Sequence, residues 1–485
     1  MNHYQVNLRA LDSTAPAGPL EALREFREGP APARSPLAVL KGGLELLQDL
    51  GIELLHIMPP FRMGLEARKG IGSPYAMANC REIDPEFGTR NEWFALVRRA
   101  HALGMKVIMG FVPNHTARDH VWMTRDPAFY LRDAGGKATY DFDWSDTAKL
   151  NYTHPPLREE VTAVLLEWLQ GEGDGSGVDG YRMDMAHMIN DLSFWDECIP
   201  RLEAAMDGRP LLLMAECYGF ERNLDLFRRG FQSAYDDDFY KILQYGYARD
   251  AGGRSRLCLD PRAADNGDFA PRLAAWRQGG IAAAVEHLVA DCVTRCPQHW
   301  LARYTDNHDE GRGLHRFGAE ATRVFLDLAA CLPRTILFTL AGQEAGALNR
   351  PPIHEYFGIC DKGYRRADGG EVPGIEFQGN LFFRTSEARI QAISEARNRF
   401  HLRKTQPALR DGTWQPLAVG EVCADPERTV VAFLRETAGQ RLACLFNLGH
   451  EPRQLRQPPS GRRIYGVEGH SELPPFATRI FELES

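Results

Sequence analysis

The residues best suited to chemistry are carboxylates that follow short apolar runs of the sequence. Asp184, Glu216 and Asp309 each stand at or just after such a run, and the pair Asn114-His115 follows another. A single carboxylate after a strand is often a helix N-cap, which is the structural alternative at each position. Polar clusters at four candidate strand ends favour a shared site, because the ends of parallel barrel strands meet at one mouth.

Carboxylates accompanied by arginine and histidine are suited to cleaving a glycosidic bond. One carboxylate attacks the anomeric carbon while a protonated one gives its proton to the leaving oxygen, and in retaining enzymes the same acid then activates the incoming acceptor. The transition state resembles a cation, so a third carboxylate can stabilise it. Arg182 stands two residues before Asp184 and is predicted to share its strand face. We expect this guanidinium to lower the pKa of Asp184 and keep it ionised.

Alternating apolar runs and amphipathic stretches predict parallel strands joined by helices. The spacing of Leu40, Leu44 and Leu47 predicts a helix, which Gly51 ends before an apolar strand. This unit recurs over most of the first two-thirds of the chain. The recurrence favours an α/β fold, a (β/α)8 TIM barrel with insertions, over an open doubly wound sheet. The predicted strands cover residues 52–58, 106–112, 178–183, 211–215, 300–304 and 335–340.

Two stretches depart from this alternation and divide the chain. Residues 116–152 hold scattered aromatic and charged side chains without a clear helix, and they are too many for an ordinary connection. They predict a short inserted domain after strand 3. Short strands separated by turn residues fill the C-terminal end, as is typical of antiparallel β structure. We therefore predict a catalytic barrel over 1–115 and 153–405, the insertion over 116–152, and a β-sandwich-like domain over 406–485.

The bulk composition is that of a globular protein without a dominant basic surface. Hydrophobic residues make up 44% and charged residues 25% of the 485 residues, and the net charge is -8. This charge argues against nucleic acid or an anionic membrane as a partner. No apolar stretch is long enough to cross a bilayer, and the N-terminal residues lack a basic segment followed by an apolar run. The ten cysteines are irregularly spaced, which favours reduced thiols. We expect a cytoplasmic protein.

Six polar segments of the sequence resemble the ordered motifs of the α-amylase superfamily, a family of retaining, α-glucan-active barrels. The resemblance runs from about Tyr4 to Arg403, and it identifies no subfamily. The order and spacing of the motifs make it specific. In chain order the segments are GSPYA (72–76), VPNH (112–115), GYRMDMA (180–186), MAE (214–216), DNHD (306–309) and GQE (342–344).

The resemblance implies a role for the polar residues of these segments. Asp184 corresponds to the nucleophile, Glu216 to the acid/base and Asp309 to the transition-state stabiliser. Residues 116–152 correspond to domain B, which helps to wall the substrate cleft. The expected substrate contacts, which hold the sugar at the cleaved bond, are Tyr75, His115, Arg182 and His308.

The activity implied by the resemblance is retaining hydrolysis of α-glucosidic bonds in maltooligosaccharides or related α-glucans. One alternative is an α-glucan transglycosylase, which passes a glucosyl or maltosyl unit to a sugar acceptor with the same carboxylates. A second alternative is a catalytically silent relative that serves as a binding subunit, although the presence of all three carboxylates favours an enzyme. The expected partner is an oligosaccharide or α-glucan. Linkage preference, endo or exo action and oligomeric state stay open.

Several positions depart from the family pattern. Gly110 stands where the first motif usually has Asp. This departure is the feature that supports a catalytically silent relative, although we favour a compensated substitution. His187 and Met188 replace a Lys-His pair used by many starch-cleaving members, which weakens an endo-amylase assignment. Asn114 corresponds to a frequent calcium ligand, but an Asn beside a His equally serves as a hydrogen-bonding scaffold. We therefore expect that no metal or other cofactor is required, with calcium as the alternative.

The aromatic residues of the insertion leave a further choice between two roles. Trp122, Tyr140, Phe142 and Trp144 are able to stack on sugar rings. A small insertion also needs aromatic residues to form its own core, and the sequence does not separate these roles.

Overall fold

A closed barrel of eight parallel strands lies at the centre of the protein. The computed structural model describes residues 1–11, 35–348, 353, 364–365, 371–372, 387–456, 459–469 and 471–484. The first strand pairs with both the second and the eighth, which closes the sheet. The barrel strands are β1 (Asn2–Val6), β2 (Leu54–Ile57), β3 (Lys106–Phe111), β4 (Gly180–Met183), β5 (Leu212–Ala215), β6 (Ser233–Tyr235), β7 (Trp300–Arg303) and β8 (Thr335–Leu340).

Helices follow the strands and cover the outside of the barrel. The first begins after the N-cap Ser35 and ends at Gly51, whose φ of 99° is left-handed and therefore suits glycine. The second begins with a capping box formed by Thr89 and Glu92. The longer helices are α1 (Pro36–Leu50), α2 (Arg90–Ala102), α3 (Pro155–Gln170), α4 (Ser193–Ala204), α5 (Phe220–Arg228), α6 (Asp237–Gly246), α7 (Ala270–Arg295), α8 (Ala319–Cys331) and α9 (Glu387–Thr405).

Two barrel strands, β1 and β6, were not predicted from the sequence. In β1 the polar side chains of Asn2, His3 and Gln5 are fully buried, so the strand lacks the apolar run that marks the others. The β6 strand has only three residues and begins with Ser233. Their neighbours in the sheet supply the hydrogen bonds that hold both strands in place.

The segment between β3 and α3 folds over the mouth of the barrel. It is framed by an antiparallel hairpin of His115–Ala117 and Thr147–Lys149. The sequence of this segment shows no clear helix, and the structure has a short one, Val121–Arg125, which His120 caps. Its buried aromatic side chains are Trp122, Phe129 and Tyr130.

The C-terminal end of the chain forms antiparallel β structure, as predicted. Five strands form the larger sheet, and Arg453–Gln454 pairs with Glu472–Leu473 in a separate two-stranded sheet. The order of strands in the larger sheet is Thr413–Pro416, Val430–Thr437, Gln440–Asn447, Thr478–Leu483 and Gly461–Gly466. The predicted fold class, a TIM barrel with an antiparallel C-terminal domain, is confirmed. The strands of the larger sheet are β9 (Thr413–Pro416), β10 (Val430–Thr437), β11 (Gln440–Asn447), β12 (Gly461–Gly466) and β13 (Thr478–Leu483).

Neither membrane-spanning helices nor disulfides occur in the part of the chain that the structure describes. No described helix combines the length and the apolar character that crossing a bilayer requires. Nine of the ten cysteines are described and all nine are free thiols, while Cys360 lies outside the described residues.

Candidate active site

Residues from several strand ends meet in one cavity at the carboxyl end of the barrel. Its volume is about 300 Å³, and it contains all three predicted catalytic carboxylates. Of the seven predicted site residues, six line the cavity directly and the seventh, Arg182, lies fully buried beneath it. The lining residues are Lys69, Ser73, Tyr75, His115, Trp144, Asp146, Thr147, Asp184, Met185, Glu216, Tyr218, His308, Asp309 and Ile353.

Arg182 holds Asp184 and Glu216 side by side. Its Nη1 donates a 2.6 Å hydrogen bond to Asp184 Oδ1, and its Nη2 lies 2.6 Å from Glu216 Oε1. Both carboxyl groups therefore contact the same guanidinium. Tyr235 orients the arginine from β6, because its hydroxyl accepts a 3.2 Å hydrogen bond from Nε.

The expectation that Arg182 keeps the pKa of Asp184 low was wrong. Burial raises the pKa of Asp184 well above its usual range, the charge of Glu216 raises it further, and Arg182 opposes both only in part. The reason is that one guanidinium serves two buried carboxylates, and like charges so close together cannot both be ionised cheaply. The pair therefore favours holding one shared proton, so that one partner is an acid and the other a carboxylate.

Two neighbours orient Glu216, and neither was predicted. The Tyr218 hydroxyl donates to Glu216 Oε1 at 3.0 Å, and the Met185 backbone N–H donates to Oε2 at 3.1 Å. Met185 has a φ of 43°, a left-handed conformation that costs roughly 1–3 kcal/mol for a residue with a side chain. The only sequence signal for these contacts is position: Met185 directly follows Asp184, and Tyr218 stands two residues after Glu216.

Asp309 lines the cavity beside His308. His308 Nε2 lies 2.6 Å from the Tyr75 hydroxyl and 3.2 Å from Asp309 Oδ2. The Tyr75 and His308 rings are also stacked, with centroids 5.4 Å apart. Polar atoms of Glu216, His308 and Asp309 all lie within 4.8 Å of one another. The predicted stabiliser is thus adjacent to the predicted acid/base.

His115 joins the cavity from the end of β3. Its ring lies 5.2 Å from that of Trp144, measured between centroids. Burial lowers the pKa of His115 to about 4, so the imidazole is neutral near pH 7. A neutral imidazole has one N–H donor and one acceptor nitrogen, which suits a sugar hydroxyl.

Gly110, the main departure from the family pattern, sits in β3 against Pro59. A Cβ atom at position 110 would lie 2.6 Å from Pro59 Cδ and 2.8 Å from Pro59 N, closer than real Cβ contacts allow. Backbone and proline ring therefore fill the space that a side chain would take.

The residues around Asn114 are held by hydrogen bonds within the insertion. Asn114 Nδ2 donates to Asp141 Oδ2 at 2.8 Å, and Lys149 Nζ donates to Asp141 Oδ1, also at 2.8 Å. Asn114 Oδ1 is buried and has no hydrogen-bond partner among the described residues, so it is an available oxygen ligand. Calcium takes six to eight oxygen ligands, carboxylates prominent among them, whereas this carboxylate is already paired with an ammonium group.

Comparison with known proteins finds similarity to α-amylases and α-glucosidases. A family model described as the α-amylase catalytic domain matches residues 37–142. The α-glucosidase of Culex pipiens is 30% identical over 207 residues, which are 36% of this chain and 34% of that protein. The α-amylase MalA of Haloarcula japonica is 24% identical over 438 residues, 87% of this chain and 54% of that protein. This chain thus spans between a third and just over half of the length of these two relatives.

Solved structures resemble the chain over its whole length. The maltogenic α-amylase AmyB of Thermotoga neapolitana has a TM-score of 0.69 at 20% identity, covering 100% of this chain and 99% of that one. The trehalulose synthase MutB of Pseudomonas mesoacidophila has a TM-score of 0.67 at 18% identity, covering 100% and 98%. At these identities the likeness shows a shared fold. The matched catalytic-domain segment, the closed barrel and the ordered motifs at its mouth agree with the resemblance of the chain to the α-amylase family.

Proposed function

We propose that the protein is a retaining glycosidase that cleaves α-glucosidic bonds in maltooligosaccharides or related α-glucans. The observation that carries the proposal is the contact of Asp184 and Glu216 with the same guanidinium, that of Arg182, at 2.6 Å each. Retaining enzymes keep their two carboxyl groups about 5–5.5 Å apart, whereas inverting enzymes need about 6.5–9.5 Å for an intervening water. Carboxyl groups that contact one guanidinium fit the close class.

In the proposed mechanism the shared proton resides on Glu216 when substrate is bound. Asp184 attacks the anomeric carbon while Glu216 protonates the glycosidic oxygen, so that the leaving sugar departs with the proton and an ester to Asp184 forms. Glu216, now ionised, takes a proton from water, and the hydroxide oxygen displaces Asp184 from the anomeric carbon. Asp309 stabilises the positive charge that develops on the sugar ring in both steps.

The site supports an active enzyme over a silent binding subunit. The acidic residues that catalysis needs are gathered in one cavity, and the Gly110 position is occupied by Pro59 rather than left as a gap in the site. Transfer to a sugar acceptor uses the same carboxylates, so the acceptor decides between hydrolysis and transglycosylation. Product analysis with and without added acceptor sugar separates the two.

The stereochemistry of the first product tests this proposal. We expect proton NMR of a digest of maltotetraose to detect the α-anomer of the new reducing end first, with the β-anomer arising later by mutarotation. A panel of α-1,4-, α-1,6- and α-1,1-linked oligosaccharides and cyclodextrins defines the linkage. Initial release of the β-anomer would contradict the proposal. So would a failure to cleave any member of the panel.

A second prediction concerns calcium, which we propose the enzyme does not need. Because the Lys149 ammonium already pairs with Asp141, a chelator is expected to leave both activity and the thermal midpoint unchanged. Lys149→Met is expected to lower the midpoint, since breaking a largely buried pair leaves the Asp141 charge without its partner. Lys137→Met, at an exposed lysine of the same insertion, serves as the control. Loss of activity in chelator that added calcium restores would refute this prediction.

A cytoplasmic location completes the proposal. It is supported by the free state of the nine described cysteines, eight of them buried, which accords with a reducing compartment.

A further inference from the structure

Phe142 is an exposed aromatic residue with a strained backbone, at the edge of the candidate active site. Its side chain is 72% exposed, the largest exposure among the exposed large hydrophobic residues of the described chain. Its φ of 51° lies in the left-handed region, which a bulky residue rarely adopts. Burial of apolar surface does not account for this arrangement, and strain retained in a folded protein is a reason to look for function.

The Phe142 ring continues the wall of the catalytic cavity through Trp144. The two rings meet edge to face with centroids 4.9 Å apart, and Trp144 itself lines the cavity beside His115. An aromatic surface therefore extends from the predicted glycone contact outward to solvent.

The insertion does not need Phe142 for its own core. That core is built from Trp122, Phe129 and Tyr130, each at most 3% exposed, and the rings of Trp122 and Phe129 pack at 5.9 Å. Among the four aromatics that the sequence left undecided, Trp122 thus has the structural role. Phe142 and Trp144 lie at the cleft instead.

Polar groups border this aromatic surface. Lys69 lines the cavity and donates to the backbone oxygen of Asp143, between the two rings in sequence. Asp146 also lines the cavity, 3.9 Å from Lys69 Nζ. Aromatic faces flanked by charged donors and acceptors match a pyranose, whose ring faces carry C–H bonds and whose edge carries hydroxyls.

We propose that Phe142 and Trp144 form a second sugar-binding surface, continuous with the catalytic cavity, that stacks a glucose unit of an α-glucan chain remote from the cleaved bond. This inference rests on the proposed function and sharpens it, because it makes the preferred substrate an oligosaccharide chain rather than a disaccharide. The surface adds binding only when the chain is long enough to reach Phe142.

The test compares chain lengths in the Phe142→Ala variant. With maltose through maltoheptaose as substrates, kcat/KM is expected to fall about 3- to 10-fold for the longest chains, the size of one aromatic contact, and to stay unchanged for the shortest. Phe142→Asn, which tolerates the left-handed backbone, is expected to behave like the Ala variant without loss of thermal stability. Val467→Ala removes an exposed apolar side chain from the C-terminal domain and is the matched control. An equal loss at every length, or no loss at any length, would overturn the proposal.

A binding measurement separates this inference from the proposed function. If the parent protein cleaves no α-glucan, the proposed function fails, and calorimetric titration with maltoheptaose still tests the surface. Weaker binding by Phe142→Ala than by the parent supports the surface, and equal or absent binding in both overturns it.

Discussion

Replacing Asp184 by Asn is expected to lower kcat on every substrate by a factor on the order of 10⁴ or more, comparable to removing one member of a catalytic unit. The amide retains the shape of the side chain but cannot attack the anomeric carbon or carry the negative charge that the ester-forming step requires. Initial rates on maltotetraose, measured at enzyme concentrations high enough to detect a 10⁵-fold loss, give the factor.

Stability measurements keep this result interpretable. Asp184 and Glu216 compete for one guanidinium, so neutralising one of them relieves repulsion and is not expected to lower the thermal midpoint. Glu203→Gln, at an exposed position of α4, should retain parental activity. Full activity of the folded Asp184→Asn variant would remove Asp184 from the role of nucleophile.

Replacing Glu216 by Gln is expected to produce a loss that depends on the leaving group. On maltotetraose kcat/KM should fall by about 10²–10⁴-fold, the usual contribution of general acid catalysis. On α-glucosyl fluoride the loss in the first step should be far smaller, since fluoride departs without a proton. Rates of fluoride release and of sugar release, measured on the same preparation, provide the comparison.

The pH dependence of activity is an independent test of Glu216 as the general acid. In the parent, activity is expected to fall as the pH rises past the point at which the carboxyl pair loses its shared proton. In Glu216→Gln, fluoride release should lack that alkaline decline, because no acid is required. Equal losses on both substrates would show that Glu216 acts by positioning rather than by proton transfer.

The sequence predicts those strands whose buried residues are mostly apolar. The strand Thr335–Leu340 agrees with its predicted range because all six residues are buried and apolar or small. β1 escaped prediction because its buried faces carry Asn2, His3 and Gln5, and β6 because three residues are too few for a pattern. Both strands are held by hydrogen bonds to neighbouring strands, and their own sequences contain no apolar pattern that would predict them.

The sequence likewise predicts some features of the candidate site and not others. The positions of Asp184, Glu216 and Asp309 follow from strand ends, since a barrel brings those ends together. The sign of the Asp184 pKa shift does not follow, because it depends on Glu216 sharing the one charge of Arg182. Likewise, residue types alone do not reveal that Lys149 reaches Asp141 or that Phe142 stays exposed.

The close approach of Pro59 to Gly110 constrains how this protein can change over time. An Asp at position 110 would collide with the proline ring and with backbone atoms of residues 58 and 59, so it requires a shift of that backbone as well as a change of the proline. An Asp at this position is therefore expected to be tolerated only together with changes in the segment that follows β2. Grafting the first motif of a relative onto this barrel therefore requires exchanging the segment around residues 58 and 59 along with position 110.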